Sequence, residues 1–155
     1  MSMTHVHLLL NHFPVIGTVI GVALLAVALL RRSNEVGKVS LALFAALGVI
    51  SVLVFLTGEP AEESIESLSD FSEAITERHE EFALIATIVL ASFGALSLGV
   101  LAAFRKNSLP RWVTLCGFLV SLVAGGLMAY TAMLGGQVRH TEIRGDGTVV
   151  EGQPG

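Results

Sequence analysis

Four stretches of this chain contain no Asp, Glu, Lys or Arg: residues 1–30, 39–58, 82–104 and 112–138. Uncharged apolar runs of that length have few places to go. A helix needs about 20 apolar residues to cross roughly 30 Å of hydrocarbon, and in lipid it satisfies its backbone polar groups internally. The runs are apolar all round rather than alternating, which disfavours strands. The sequence therefore predicts an all-α protein with four transmembrane helices, at about 9–30, 39–57, 82–104 and 112–134. Short loops make consecutive helices antiparallel neighbours, so the four should form an antiparallel bundle. Composition agrees: 14% of residues are charged, against about 25% in a soluble domain. The bundle occupies 1–144, and 145–155 ("GDGTVVEGQPG") reads as a flexible C-terminal tail.

Cations set the expected orientation. Arg31, Arg32, Lys38, Arg105, Lys106 and Arg111 flank one end of the spans, and only Arg78, Arg139 and Arg144 belong to the other. Short cytoplasmic loops are enriched in Lys and Arg, which predicts a multi-pass protein of a bacterial inner membrane with both termini periplasmic. The first apolar run lacks a preceding cation and is followed by Arg31 and Arg32, the wrong polarity for a cleaved signal peptide. It should therefore remain as a span. The one cysteine, Cys116, falls inside the fourth run and has no intramolecular partner for a disulfide. A net charge of −4 and the lack of a basic stripe exclude nucleic acid as a partner.

Between spans two and three lies "GEPAEESIESLSDFSEAITERHEE", residues 58–81. Ala61, Ile65, Leu68, Ser72, Ile75, His79 and Phe82 recur at steps of three and four, the spacing of one helical face. The pattern predicts an amphipathic surface helix that runs into span three, with His79 on its apolar side. Inside the membrane, small residues let helices approach closely. Gly17 with Gly21, Ala91 with Ala95 and Gly99, and Gly117 with Ser121 and Gly125 are the expected packing seams. No charge lies in the middle of a span, which argues against an ion or proton pathway.

The five histidines, at positions 5, 7, 12, 79 and 140, all fall at the outer ends of spans, and so do twelve of the thirteen carboxylates. Span one supplies His12, with His5 a heptad earlier and His7 and Asn11 on another face. Span two ends on Glu59, Glu62 and Glu63. Span three begins at His79, Glu80 and Glu81, and span four leaves through Gln137, Arg139 and His140. Imidazole and carboxylate from facing helices suit a transition metal, as one ion or a dinuclear pair. The expected metal ligands are His12, His79, His140, Glu59, Glu62, Glu63 and Glu81, with Arg139 and Gln137 orienting them. Pro14 in "NHFP" must start the first span or bend it, and either should turn His12 toward the bundle mouth. The bland alternative is a polar headgroup-level rim with solvated glutamates.

The blocks "HVHLLLNHFPVIGTVIG" (5–21), "TGEPAEE" (57–63), "HEE" (79–81) and "LGGQVRH" with "EIR" (134–144) resemble a family of small bacterial four-helix membrane proteins of unassigned activity. That family is related in pattern to predicted membrane proteins with an H-F-P opening, some fused to redox domains. The resemblance implies that the outer His and Glu blocks carry the function. It lends associational weight to electron transfer.

The expected function is metal binding by a His/Glu site at the periplasmic mouth, in iron, copper or zinc form, for electron transfer or redox chemistry. One alternative is a b-type haem cytochrome exchanging electrons with quinone. There His12, His79 and His140 would supply axial ligands, and Arg139 a propionate contact. Another is a non-catalytic accessory subunit whose polar rim docks a periplasmic partner, within a homo-oligomer or larger membrane complex. The chain has no nucleophile–base pair, phosphate loop or dinucleotide fingerprint to mark it as an enzyme.

Overall fold

The computed structural model describes residues 3–58 and 73–139, with the backbone alone for Met3, Thr4 and Arg139. All regular elements among them are helical: α1 (Met3–Leu10), α2 (His12–Arg31), α3 (Asn34–Leu56), α4 (Glu73–Ala103) and α5 (Arg111–Arg139). The four long helical segments are each long and apolar enough to cross a membrane. In none of them is more than 39% of the most apolar stretch buried. Leu30, Val19, Val49, Leu96, Val123 and Trp112 are among the large apolar side chains left facing outward. Apolar surface on that scale is costly in water and ordinary against lipid tails.

Each of the four helices packs against two others: α2 on α3 and α5, and α4 on α3 and α5. All four contacts are antiparallel. Gly17 meets Leu47 and Gly21 meets Phe44; Gly48 meets Gly94; Gly117 meets Phe93; Gly125 meets Thr18. The result is a closed four-helix bundle, as the sequence predicts. Its centre holds Leu25, Leu41, Phe44, Leu47, Ala86, Leu90, Phe93, Ala124 and Met128. The Phe44 and Phe93 rings cross with centroids 4.6 Å apart.

Two of the expected seams are used, and the third holds only at Ala91, whose Cα would lie 3.3 Å from a Cβ on Gly48. Gly17 and Gly21 lie under Leu47 and Phe44, and Gly117 and Gly125 line the α5 side. On α4 the close approach is made by Gly94, whose added Cβ would stand 2.9 Å from the Phe44 carbonyl oxygen and 3.1 Å from the Gly48 Cα. Ala95 and Gly99 are exposed, and Gly99 faces open space. One residue is about 100° of helix, so the face beside the real seam looks equally small in sequence.

At the basic end, α2 stops at Arg32, a left-handed residue (φ 52°). Ser33 N–H returns 3.0 Å to the Ala28 carbonyl, and the Ser33 side chain caps α3 by accepting from Val36 N–H. The Asn34 side chain then accepts from Leu109 N–H at 2.8 Å, tying both loops of this end together. At the histidine end, α1 and α2 form a nearly continuous helix interrupted at Asn11. Pro14 has no N–H to donate to Leu10, one turn back, which weakens the ladder there. Thr18 donates its hydroxyl to the Pro14 carbonyl at 2.6 Å. Of the expected surface helix over 58–81, residues 59–72 lie outside the described residues. Glu73–Glu81 is continuous with span three as the opening turns of α4.

Candidate functional site

The site is built by extending the buried stripes of the helices toward one end. On α2 the stripe is Ala28, Leu25, Gly21, Thr18 and Pro14, and two further turns back along the same line stands His7. On α4 it is Ser97, Gly94, Phe93, Leu90 and Ala86, and two turns back stands His79. On α5 it runs through Ser121, Ala124 and Met128 to Thr131. Three helices thus deliver His7, His79 and Thr131 to the mouth of one bundle.

His79 is half-buried. Its Nδ1 lies 3.1 Å from the Thr131 carbonyl oxygen on α5. A carbonyl only accepts, so Nδ1 carries the proton and donates, which leaves the lone pair of the neutral ring on Nε2. Gly135, one turn beyond Thr131, makes room: a Cβ there would come within 3.0 Å of His79 Cε1. The Thr131 hydroxyl oxygen is buried without a hydrogen-bond partner among the described residues. Phe82, three residues after His79, stacks edge-on against Tyr130, the residue before Thr131, with centroids 4.6 Å apart.

His7 is also half-buried. Its Nδ1 is 3.2 Å from the Val54 carbonyl oxygen and 3.1 Å from Thr57 Oγ1, at the end of α3. The Thr57 hydroxyl donates to that same carbonyl at 2.7 Å. His7 is therefore the N–H donor in this group, and its lone pair too sits on Nε2. A Cβ on Gly58 would stand at an ordinary contact distance, 3.7 Å, from His7 Cε1.

His12 stands apart. Its side chain is exposed, and its Nδ1 donates back to the Leu8 carbonyl at 2.7 Å. The expectation that the proline break turns His12 inward does not hold in this geometry. His7 and His12 are five residues apart, about 140° around a helix, so the face that carries His7 inward carries His12 out. His5 is exposed, as are Glu80 and Glu81 on α4. Glu59, Glu62, Glu63 and His140 lie outside the described residues, as does the side chain of Arg139; Gln137 is half-buried near the end of α5. Among the described residues, no three His, Cys, Asp or Glu side chains converge as a metal cluster. What this end of the bundle holds instead is two separately anchored imidazoles, His7 against Val54 and Thr57 and His79 against Thr131. Sequence reasoning singled out His79 and left His7 open, although the stripe running back from Ala28 through Pro14 points to it.

In comparisons with known proteins, no family model, curated relative or solved structure matches the chain.

Proposed function

We propose that this is a multi-pass membrane protein whose histidine-bearing mouth binds a transition-metal ion and serves electron transfer or small-molecule redox chemistry. The observation that carries the reading is His79. It combines a position on the inward stripe of α4, an Nδ1–H donated to the Thr131 carbonyl 3.1 Å away, and ring clearance provided by Gly135. Metal-binding histidines typically donate their second ring nitrogen to a carbonyl or carboxylate, which fixes the tautomer and aims the other nitrogen. A histidine that merely satisfied the headgroup region would need neither the interhelical anchor nor the glycine opposite its ring.

The ion itself would supply Lewis acidity or a redox couple. The chain supplies the orientation of the imidazole, through its contact with the Thr131 carbonyl. The concentration of Lys and Arg at the other end supports a periplasmic mouth in a bacterial inner membrane. Quinone or a periplasmic redox protein would be the electron partner.

Purification of the native protein without chelators tests the reading, by elemental analysis and absorption spectroscopy on one sample. Iron, copper or zinc near one per chain, without a Soret band and lost in His79→Gln, is the expected result. A Soret band near one per chain would assign a b-haem to the same mouth instead. Absence of both would leave a docking role for the polar rim and end the metal reading.

A further inference from the structure

We infer that the half of α4 nearest the basic end binds one anionic phospholipid, its acyl chain in a groove along the helix and its phosphate at Arg105 and Lys106. The site lies at the opposite end from the histidines and does not depend on a metal there. It rests only on the reading of the long helices as membrane spans.

The outward face of α4 carries a groove of about 710 Å³ that runs from Ser92 to Phe104. Its floor is the ladder Ala95, Gly99 and Ala103, and Leu96, Val100 and Phe104 rise beside it, one residue further round the helix. The floor residues are exposed, and a Cβ on Gly99 would meet nothing within 4 Å. The bundle core uses a different face of α4, that of Ala86, Leu90, Phe93 and Ser97.

The length of the groove favours a lipid tail as its occupant. Ser92 and Phe104 are separated by a rise of about 18 Å, close to half of the roughly 30 Å hydrocarbon layer. Toward the histidine end the same face carries Ile88 and Ile85, branched and exposed, and there the groove stops. It has the depth of one leaflet, which suits an acyl chain; a second copy packed helix along helix would need a path through both.

Charge at the open end selects the headgroup. Phe104 is followed directly by Arg105 and Lys106, both exposed. The connection "RKNSLPR" (105–111) adds Arg111 and holds no carboxylate. Trp112, the next residue, is 66% exposed, as suits an aromatic at headgroup level. Basic groups beside an apolar groove at the membrane surface recognise anionic headgroups, and arginine takes phosphate oxygens through paired N–H donors. The points where the described chain breaks off, Gly58, Glu73 and Arg139, all belong to the histidine end.

The test uses the full chain in detergent micelles doped with phosphatidylglycerol or phosphatidylcholine of the same acyl chains, read by native mass spectrometry. One phosphatidylglycerol per chain is expected, retained roughly ten-fold or more over phosphatidylcholine. Arg105→Gln with Lys106→Gln should remove that preference. Gly99→Leu, which fills the groove, should lower retention of both lipids. Arg31→Gln with Arg32→Gln, at the same end but on α2, which does not pack against α4, should change neither. Circular dichroism checks that each variant keeps the bundle. Should Gly99→Leu misfold, Ala95→Leu on the same exposed floor replaces it.

Equal retention of the two lipids by the wild type would overturn the anionic headgroup. Unchanged retention in Gly99→Leu would overturn the groove, and an equal effect of the α2 pair would reduce the site to the general charge of this end. A dimer in gel filtration with light scattering that Gly99→Leu dissociates would make the groove an interface between copies instead. Recovery of the chain in buffer without detergent would overturn the membrane reading beneath the inference, whatever the lipid result.

Discussion

Gly135 and Gly126 differ in what their missing side chains would meet. A Cβ on Gly135 would press on the His79 ring at 3.0 Å, whereas nothing lies within 4 Å of the Gly126 position. Gly135→Ala should therefore shift the ring off its Thr131 anchor and lower metal affinity by roughly ten-fold, the lower end for a lost orienting contact. Gly126→Ala should bind as wild type. Equilibrium dialysis on the two variants compares them directly, and equal affinities would mean that the clearance around His79 is incidental. Ser97 tests another residue-scale point. It is 1% exposed and its hydroxyl has no partner among the described residues. A buried hydroxyl without a hydrogen bond is destabilising, so Ser97→Ala should be neutral or stabilising by up to about 1 kcal/mol, read from thermal melting in detergent. A clear loss of stability would mean that the hydroxyl has a partner.

Among the elements, α3 and α4 make the closest contact, backbone to backbone at Gly48 and Gly94. Overpacking a tight core costs about 1–3 kcal/mol, and here the obstacle is backbone that cannot rotate away. Gly94→Val should lower the melting temperature markedly, while Gly99→Val on the exposed face of the same helix should not. The contrast also shows why the α4 seam was not legible in sequence. Ala91, Ala95 and Gly99 form as regular a small-residue ladder as any, yet only Ala91 meets Gly48, and packing against Phe44 and Gly48 takes Gly94 in place of Ala95 and Gly99. The α2 and α5 seams were legible because no rival ladder runs beside them. Helix α1 poses the same problem for the site. The break at Asn11 hides that α1 continues the line of α2, so the half-buried histidine of this segment is His7 and not His12, the one nearest the proline. Pro14→Ala should restore the missing backbone hydrogen bond to Leu10, stiffen the α1–α2 joint and raise thermal stability. A lower melting temperature for this variant would show that the break is needed for the packing of α1.

For the molecule as a whole, charge distribution in the sequence was enough to specify four long apolar helices and their antiparallel closure. Runs without Asp, Glu, Lys or Arg leave a chain little alternative in lipid. The clustering of histidine at one end was legible for the same reason, since polar groups are confined to span ends. Which histidines face one another was not, because that depends on rotation about each helix axis, and rotation follows from packing. The orientation across the membrane is open to a separate test. Reporter fusions should be active in the periplasm after the C-terminus and in the cytoplasm within 105–110; the reverse pattern would place the mouth on the cytoplasmic side.

Metal-edge X-ray absorption on the natively purified protein probes the mouth most directly, because it counts the nitrogen atoms bound to whatever ion the cell has loaded. The spectrum should show imidazole nitrogen at about 2 Å, one shell of which disappears in His79→Gln. A spectrum identical in wild type and in His79→Gln, or a protein that arrives without metal, would contradict the assignment.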